Sequence, residues 1–438
     1  MTGLLQNRCR PIFLLLAVVG LSAQARGGDP LPSALFDYVA KPQPDFKWTV
    51  KNTSSTKDGK IHEVDLVSQK WQNILWQHAL YIYEPNELTT PSHGLLFITG
   101  GRNGAPPKVN HAIGAQLAKI SGGVVATLYQ VPNQPLMGDK VEDDLITETF
   151  LKYLETRDPN WPLLFPMVNS AMKAMDAVQQ IAEKEWKRPI KTFVLTGASK
   201  RGWTTWLTSA SDPRVIGLAP MVIDTLNFQP QMRHQMETWG EYSEQIIDYT
   251  KKGLVEVMQN QPEIPLWRWV DPYTYREKIT QPKLIVNGAN DRYWTLDALN
   301  YYWNDLHGPK NIHYVPNGGH GLEGGREQAL ATIAVFSKLT SQGKSLPKME
   351  WNFTKEATGY RIDVKSDMAP QRALLWSTTS ATKDFRSSKW VSTPMSPTNE
   401  GFAGAVLKPG AGHYALHGAM TFEIDKTPII LSTQMKWE

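Results

Sequence analysis

A serine, an aspartate and a histidine in this 438-residue chain follow one another in an order that could support nucleophilic catalysis. Ser199 lies in the run LTGASKRGW (195–203), where an apolar, strand-like segment meets small residues and a helix-like segment follows. A sharp turn between strand and helix can hold a serine hydroxyl clear of a sheet, and nearby glycine relieves crowding. The usual spacing is G-x-S-x-G, whereas here Arg201 holds the second position after the serine and Gly202 follows it. Without a catalytic role, Ser199 would only cap the helix.

The groups that would activate this serine come later in the chain. Asp291 lies just beyond a strand candidate at 283–287, and His320 lies in a glycine-rich loop after the next candidate at 311–315. A serine needs a base at neutral pH, so His320 would accept its proton while Asp291 fixes the histidine tautomer. The order Ser–Asp–His, with each residue at the carboxyl end of a strand, is that of the α/β-hydrolase triad. Asp224 is the alternative acid, or else the cap of the helix that follows it.

Two segments could supply backbone N–H groups to the oxyanion of an acyl-transfer reaction. One donor is expected from Lys200, directly after the serine. A second is expected from the loop GGRNG (100–104), with Gly101 and Arg102 as candidates, because glycine lets a backbone approach the reacting carbonyl closely. The loop has neither G-x-G-x-x-G nor G-x-x-x-x-G-K spacing, so it does not indicate phosphate binding.

Substrate contacts are predicted from two further segments. Tyr129 and Gln130 come at the end of a strand candidate and are expected to line the site. Glu142 and Asp143 begin an acidic cluster that could recognise a substrate amine, as an exopeptidase requires. The alternative for this cluster is the polar first turn of a helix. No H-E-x-x-H spacing occurs, and we predict neither a metal nor a cofactor.

The elements that must position these residues alternate between strand-like and helix-like patterns from about residue 60 to residue 340. Strands are predicted at 62–67, 79–84, 94–99, 123–129, 191–196, 215–222, 283–287 and 311–315. Helices are predicted at 168–186 and 326–339, and such connections suit right-handed crossovers between parallel strands. This alternation predicts the α/β class, with an α/β-hydrolase-like, mostly parallel sheet flanked by helices. A helical insertion at about 227–258 would either cap the site or pack on the sheet.

The chain is predicted to contain three parts. Residues 1–25 have the charged, apolar and A-x-A order of a signal peptide, and cleavage is expected after Ala25. Residues 26–340 would form the hydrolase domain. A polar linker then leads to 347–438, where short alternating runs separated by turn residues predict a small β-sandwich domain.

Composition limits the classes of function. The formal net charge is +4, from 46 basic and 42 acidic residues, which does not indicate a nucleic-acid partner. Beyond the N-terminus no apolar stretch is long enough for a membrane helix, so stable membrane insertion is not expected. Cys9, the single cysteine, lies in the predicted signal peptide, which leaves no disulfide framework. We therefore expect a periplasmic or secreted protein, and the sequence does not indicate its oligomeric state.

Five segments match the pattern of a known family: TGASKRGW (196–203), NGANDRYW (287–294), PNGGH (316–320), LWS (375–377) and DFR (384–386). Through them the chain resembles the bacterial PhoPQ-activated pathogenicity-related proteins. The resemblance implies an exported, α/β-hydrolase-like protein with a C-terminal β domain. The family name implies control by a two-component system that responds to cationic peptides and low magnesium. A role in virulence, through resistance to host antimicrobial peptides, is thereby implied.

Three functions follow from this sequence. The first is a peptidase-like serine hydrolase acting on peptides, including cationic host peptides. The second is a carboxylesterase acting on carbohydrate or other esters, because the G-x-S-[basic]-x-G turn resembles that of glucuronoyl esterases. The third is a non-catalytic envelope protein that uses the hydrolase scaffold for binding. The partner is therefore expected to be a peptide or an ester substrate.

Overall fold

A computed structural model describes residues 30–438, and the predicted signal peptide lies outside them. The strands are β1 (Lys47–Thr56), β2 (Gly59–Trp71), β3 (Ile74–Pro85), β4 (His93–Ile98), β5 (Val124–Leu128), β6 (Thr192–Ala198), β7 (Val215–Met221), β8 (Lys283–Gly288), β9 (Lys310–Val315), β10 (Met349–Glu356), β11 (Gly359–Ser366), β12 (Arg372–Ser380), β13 (Val391–Pro394), β14 (Ser396–Thr398), β15 (Gly401–Leu407), β16 (His413–Ile424), β17 (Thr427–Ser432) and β18 (Lys436–Trp437). The α-helices are α1 (Ala34–Val39), α2 (His111–Ser121), α3 (Glu142–Thr156), α4 (Leu164–Trp186), α5 (Lys200–Ser211), α6 (Phe228–Trp239), α7 (Ile247–Thr250), α8 (Leu254–Asn260), α9 (Pro265–Val270) and α10 (Arg326–Ser341). Short 3₁₀ helices lie at Glu244–Ile246, Pro272–Tyr275, Ala298–Tyr301 and Trp303–Asp305. Within this range, no helix is both long and apolar enough to cross a membrane.

The central sheet has the strand order of the α/β-hydrolase fold. From one edge the order is β1-β2-β3-β5-β4-β6-β7-β8-β9. The pairs from β1 to β5 are antiparallel, whereas β5-β4-β6-β7-β8-β9 are parallel neighbours. Strands β2 to β9 correspond to the eight predicted strands, and α4 and α10 correspond to the two predicted helices. The predicted fold class is therefore confirmed.

The parallel strands are apolar on both faces because helices cover both faces of the sheet. Every residue of β5 and of β8 is buried. On one face, helices α4 and α5 contribute Phe165 and Trp206 to a core cluster; on the other, α10 contributes Ile333 and Phe336 to a second cluster. The two covered faces make the sheet a rigid support for the loops at its carboxyl edge.

The chain leaves this pattern between β7 and β8. Helices α6, α7 and α8, with the 3₁₀ helix Glu244–Ile246, form the segment predicted as a helical insertion. Its apolar residues include Met232, Leu254 and Val255, which are buried and belong to the same core cluster as α4 and α5. The insertion is thus firmly packed over that side of the sheet.

The C-terminal segment forms two antiparallel sheets. One has the order β10-β11-β15-β14, and the other, β17-β16-β12-β13, continues the central sheet. Ile362 of the first and Leu416 of the second are buried in one shared cluster, as expected for facing sheets. The junction with the central sheet is the pair of Ser432 on β17 and Ile312 on β9. The Ser432 hydroxyl also accepts a hydrogen bond of 3.1 Å from the Tyr314 backbone.

Candidate active site

Ser199 occupies a strained turn between β6 and α5. Strand β6 ends at Ala198 and helix α5 begins at Lys200, so a single residue joins the two elements. Its backbone has φ 58° and ψ −127°, which is rare for a residue with a side chain. The turn is held by two hydrogen bonds of 2.9 Å, from Ser199 N to Met221 O and from Trp203 N to Ser199 O. This strand–serine–helix geometry is that of a nucleophile elbow.

The displaced glycine of this turn has a packing reason. A Cβ atom on Gly202 would lie 2.9 Å from both Gly197 O and Met221 O, closer than real Cβ contacts allow. Gly202 therefore lies where helix α5 packs closely against the ends of β6 and β7. The preceding position is free to carry Arg201, whose Nε donates to Val131 O at 2.5 Å. The departure from G-x-S-x-G thus keeps the close approach and adds a buried cation.

Asp291 and His320 are brought into direct contact. They follow β8 and β9, which are parallel neighbours, so the two loops leave the same edge of the sheet. His320 Nδ1 lies 2.8 Å from Asp291 Oδ2. Because the carboxylate can only accept, Nδ1 carries the proton, and Nε2 is left as the basic nitrogen. The Asp291 side chain is 3% exposed and that of His320 is 30% exposed.

An aromatic residue links this pair to the serine. The Tyr293 ring lies against the imidazole of His320, with centroids 4.2 Å apart and an interplanar angle of 32°. Tyr293 and Ser199 line the same cavity. The Tyr293 backbone N–H also donates to Asp291 Oδ1 at 3.0 Å. The sequence analysis gave Tyr293 no role. Its position two residues after the predicted acid could have indicated that it lies near the site.

Asp224, the alternative acid, has a different partner. The Tyr302 hydroxyl donates to Asp224 Oδ1 at 2.6 Å, and both residues are buried. Burial raises the pKa of Asp224 to about 7, and the nearby carboxylates of Asp291 and Asp297 add to this, although the Tyr302 hydrogen bond acts against it. The structure therefore joins His320 to Asp291 and leaves Asp224 in a separate buried contact.

The predicted oxyanion donors lie on adjacent parts of the sheet edge. Strands β4 and β6 are parallel neighbours, so the loop after β4 leaves the sheet beside the serine turn. Lys200 is the first residue of α5, where the backbone N–H points out of the helix end. Gly101 has φ 144°, a conformation that side chains rarely adopt, and its carbonyl accepts from Gln134 Nε2 at 3.2 Å. Arg102 follows it with an exposed side chain.

Tyr129 and Gln130 do not line the cavity at Ser199. The Gln130 side chain accepts a hydrogen bond of 2.8 Å from Ala79 N, and the Tyr129 ring meets Tyr81 edge-on with centroids 5.8 Å apart. Gln130 N also donates to Gly100 O at 2.9 Å, which supports the loop after β4. Both residues therefore contact strand β3, and Gln130 also supports the loop after β4.

The acidic cluster forms the first turn of α3 and is paired with cations of this chain. Arg201 binds Glu142 through two hydrogen bonds of 2.7 and 2.8 Å. Lys200 Nζ lies 3.0 Å from Glu142 and 3.2 Å from Asp143. Burial by itself raises the pKa of Glu142, but the hydrogen bonds from Arg201 and the charge of Lys200 hold it well below its usual range. The cluster thus fixes the two basic residues that follow the serine.

We expect Glu142→Gln to lower the free energy of unfolding by about 2 kcal/mol. The Arg201 side chain is 10% exposed and would lose its carboxylate partner. Breaking a fully buried ion pair in this way typically costs about 3–5 kcal/mol. Water reduces the loss because the Glu142 side chain is 38% exposed. Urea denaturation measures the change. Glu155→Gln on the same helix is the matched control, because its pair with Lys152 is exposed and should matter little. Equal losses in both variants would contradict the assignment.

An apolar cavity of about 90 Å³ adjoins the serine. Its walls come from α3, the serine turn and α5, the segment after β7, the insertion, α9 and the loop after β8. They are Asp143, Phe150, Ser199, Lys200, Trp203, Ile223, Thr225, Phe228, Met232, Ile246, Tyr249, Leu254, Val255, Met258, Trp267, Tyr293 and Trp294. The insertion therefore borders this cavity and also packs on the sheet. Apart from Asp143, Ser199 and Lys200, these wall residues were not predicted, because they are brought together from segments as much as 150 residues apart.

A C-terminal clamp, residues 384–388 between β12 and β13, holds the insertion against the acid loop. Asn290 Nδ2, next to Asp291, donates to Ser388 O at 2.7 Å. Arg386 pairs with Glu244 of the insertion at 2.8 Å, and its guanidinium lies 4.1 Å from the Trp239 ring centroid. The C-terminal segment thus contacts both the predicted acid's loop and the cavity-forming insertion.

The strand order of the sheet, with Ser199, Asp291 and His320 at the carboxyl ends of its parallel strands, defines the α/β-hydrolase class. Within that class, the chain belongs to the family described as PhoPQ-activated pathogenicity-related protein, which matches residues 35–386. The family resemblance seen in the sequence motifs is thereby confirmed.

Known proteins resemble the chain at different levels. Autocrine proliferation repressor protein A from Dictyostelium discoideum is 31% identical over 421 residues, covering 86% of this chain and 83% of that protein. A glucuronoyl esterase from Solibacter usitatus has a TM-score of 0.45 and 16% identity, covering 70% of this chain and 91% of its own. An acetyl xylan esterase from Paenibacillus sp. R4 has a TM-score of 0.44 and 16% identity, covering 66% and 86%.

Proposed function

We propose that this protein is a serine hydrolase that cleaves esters, with Ser199, His320 and Asp291 as its catalytic triad. The observation that carries the proposal is the 2.8 Å contact between His320 Nδ1 and Asp291 Oδ2, on loops that leave the same edge of the sheet as the strained serine turn. This contact leaves His320 Nε2 as the base. A buried structural histidine would have no need of a glycine-rich loop or of partial exposure.

The mechanism follows from these positions. Ser199 Oγ attacks the ester carbonyl carbon and gives its proton to His320 Nε2, while Asp291 stabilises the imidazolium. The oxyanion forms beside the first turn of α5, where Lys200 N–H and the N–H groups of the Gly101 loop stabilise it. The C–O bond breaks as His320 returns the proton to the leaving alcohol. Water then attacks the acyl-enzyme with the same base, which releases the acid and restores Ser199.

An ester suits this site better than a peptide amine. The peptidase hypothesis was motivated by the acidic cluster, and Glu142 and Asp143 are each within 3.2 Å of Lys200 Nζ. Arg201 binds Glu142 in addition. A substrate amine would have to displace cations that belong to the protein. We therefore place the ester first, with peptide hydrolysis as the alternative outcome of a substrate panel that compares esters with amides.

We further propose that the reaction takes place outside the cytoplasm. The predicted signal peptide supports this, as does the name of the Dictyostelium relative, which describes an autocrine factor. The family description also names pathogenicity. On this basis we propose that ester hydrolysis in the envelope or outside the cell is what this protein contributes to virulence.

Labelling with a fluorophosphonate probe tests the triad directly. We expect the purified wild-type protein to be labelled, because an activated serine attacks the phosphorus. Ser199→Ala and His320→Ala should not be labelled. Ser211→Ala, a change at the other end of α5, is the matched control and should be labelled like the wild type. A folded wild-type protein that takes no label would instead support the binding-protein hypothesis.

A further inference from the structure

We propose that the cavity beside Ser199 binds the acyl group of the substrate, and that the substrates are esters of short, apolar acids of about four carbons. This inference rests on the proposed ester hydrolysis and adds the class of acid released. Its support comes from the position of the cavity, from the chemistry of its walls and from its size.

The position of the cavity assigns it to the acyl side of the ester. In the acyl-enzyme the acyl group is attached to Ser199, whereas the leaving alcohol must receive its proton from His320. The walls include Ser199 and Lys200, while His320 is not among the described residues that form them. A group held in this cavity is therefore attached to the serine side of the scissile bond, and the alcohol leaves past the half-exposed histidine.

The walls suit a hydrocarbon chain. The insertion contributes Phe228, Met232 and Val255, and α5 and α9 contribute Trp203 and Trp267. Apolar surfaces of this kind favour burial of methylene groups. An acid that carries hydroxyl or carboxylate groups would lose its hydrogen bonds to water here.

The charged groups at the cavity rim are already paired. Lys200 Nζ lies 3.2 Å from Asp143, and the Tyr249 hydroxyl donates to Asp143 at 3.3 Å. Lys200 also lies 3.0 Å from Glu142. The described residues of the cavity walls thus offer no free cation to a uronic acid and no free carboxylate to an amine, which distinguishes the cavity from a sugar-acid or peptide site.

The size sets the chain length. An engineered apolar cavity of about 150 Å³ holds a benzene ring of six carbons, so a cavity of about 90 Å³ accommodates roughly three carbon atoms beyond the carbonyl. A butyryl group meets this limit. Acetyl leaves most of the cavity unfilled, and a decanoyl chain must extend out of it.

A series of p-nitrophenyl esters tests the assignment. We expect kcat/KM of the wild-type protein to be about fifteenfold higher for butyrate than for acetate, because butyrate has two more methylenes and each one buried strengthens binding roughly fourfold. The value should fall again for decanoate. A methyl ester of glucuronic acid should be a poor substrate. Activity that is highest for acetate, or equal along the series, would overturn the proposal while leaving ester hydrolysis established.

Two cavity variants make the test specific. Met258→Ala enlarges the cavity and should move the optimum to hexanoate or octanoate; Met236→Ala, at an α6 position that is 41% exposed, is the matched control and should not. Val255→Phe fills the cavity and should abolish the preference for butyrate over acetate. If Met258→Ala does not fold, Val255→Phe still decides, and an unchanged chain-length profile in it would contradict the proposal.

The remaining outcome separates this proposal from the proposed function. A wild-type protein that hydrolyses none of these esters would refute the ester hydrolysis itself. The acyl site is then tested by binding of ethyl butyrate to Ser199→Ala, followed through the fluorescence of the wall tryptophans Trp203, Trp267 and Trp294. Saturable quenching in Ser199→Ala that is lost when Val255→Phe is added would support the acyl site. The absence of quenching would overturn the acyl site in addition to ester hydrolysis.

Discussion

Asp291→Asn is expected to lower kcat for ester hydrolysis by about 10⁴-fold with little change in KM. The carboxylate accepts the Nδ1 proton of His320 at 2.8 Å, which in the proposed triad keeps Nε2 available as the base. An amide in its place can donate to Nδ1, which would put the proton on Nε2, the wrong nitrogen for accepting the serine proton. The loss should appear equally in kcat and in the rate of fluorophosphonate labelling.

Asp224→Asn is the matched control for this prediction. It makes the same change of a buried carboxyl at the end of a neighbouring strand, but its partner is Tyr302 rather than His320. We expect its kcat to stay within about threefold of the wild type, since a carboxamide oxygen still accepts the Tyr302 hydroxyl. A large loss in Asp224→Asn with a small one in Asp291→Asn would transfer the role of the acid to Asp224. Circular dichroism spectra of both variants verify that they are folded.

Asp224→Asn should also change how stability depends on pH. Burial raises the pKa of Asp224 from 3.8 to about 7 in the folded protein, so the folded state binds its proton more tightly than the unfolded chain. The resulting stabilisation is fully present below the unfolded pKa and is lost as the pH rises through about 7. Between about pH 5 and about pH 8, this carboxyl should reduce the wild-type free energy of unfolding by roughly 2–3 kcal/mol.

The variant has no proton to lose at this position. Urea denaturation at the two pH values should therefore show Asp224→Asn gaining stability relative to the wild type as the pH rises. Comparing the two proteins at each pH cancels the titration of all other groups. A difference that stays constant between the two conditions would show that Asp224 is ionised in the folded protein throughout this range.

Much of the fold could be predicted from local sequence patterns. Strands β5 and β8 are buried on both faces, so their sequences are short apolar runs that stand out between helical patterns. The long amphipathic helix α4 was predicted to within a few residues at its start. By contrast, β1 was missed because its outer half is exposed and reads KNTSST, with few of the β-branched apolar residues that indicate a strand.

Site residues could be predicted only where the neighbouring sequence also indicates the strand that precedes them. Ser199, Asp291 and His320 each follow a recognisable strand, and the structure brings the last two into contact; their catalytic roles stay a prediction. The bond between Arg201 and Glu142 joins residues 59 positions apart and has no local signal. The cavity likewise depends on packing of the insertion, which sequence periodicity cannot give.

The C-terminal clamp has a consequence for how this protein can be divided. Because Arg386 pairs with Glu244 of the insertion and Ser388 accepts a hydrogen bond from Asn290, we expect the hydrolase part and the C-terminal strands to unfold together. The family match ends at residue 386, within this clamp. We expect a chain truncated after α10 to expose the Trp239 ring and to remove the clamp partners of Asn290, so the smallest fragment that folds should extend into the C-terminal sheets.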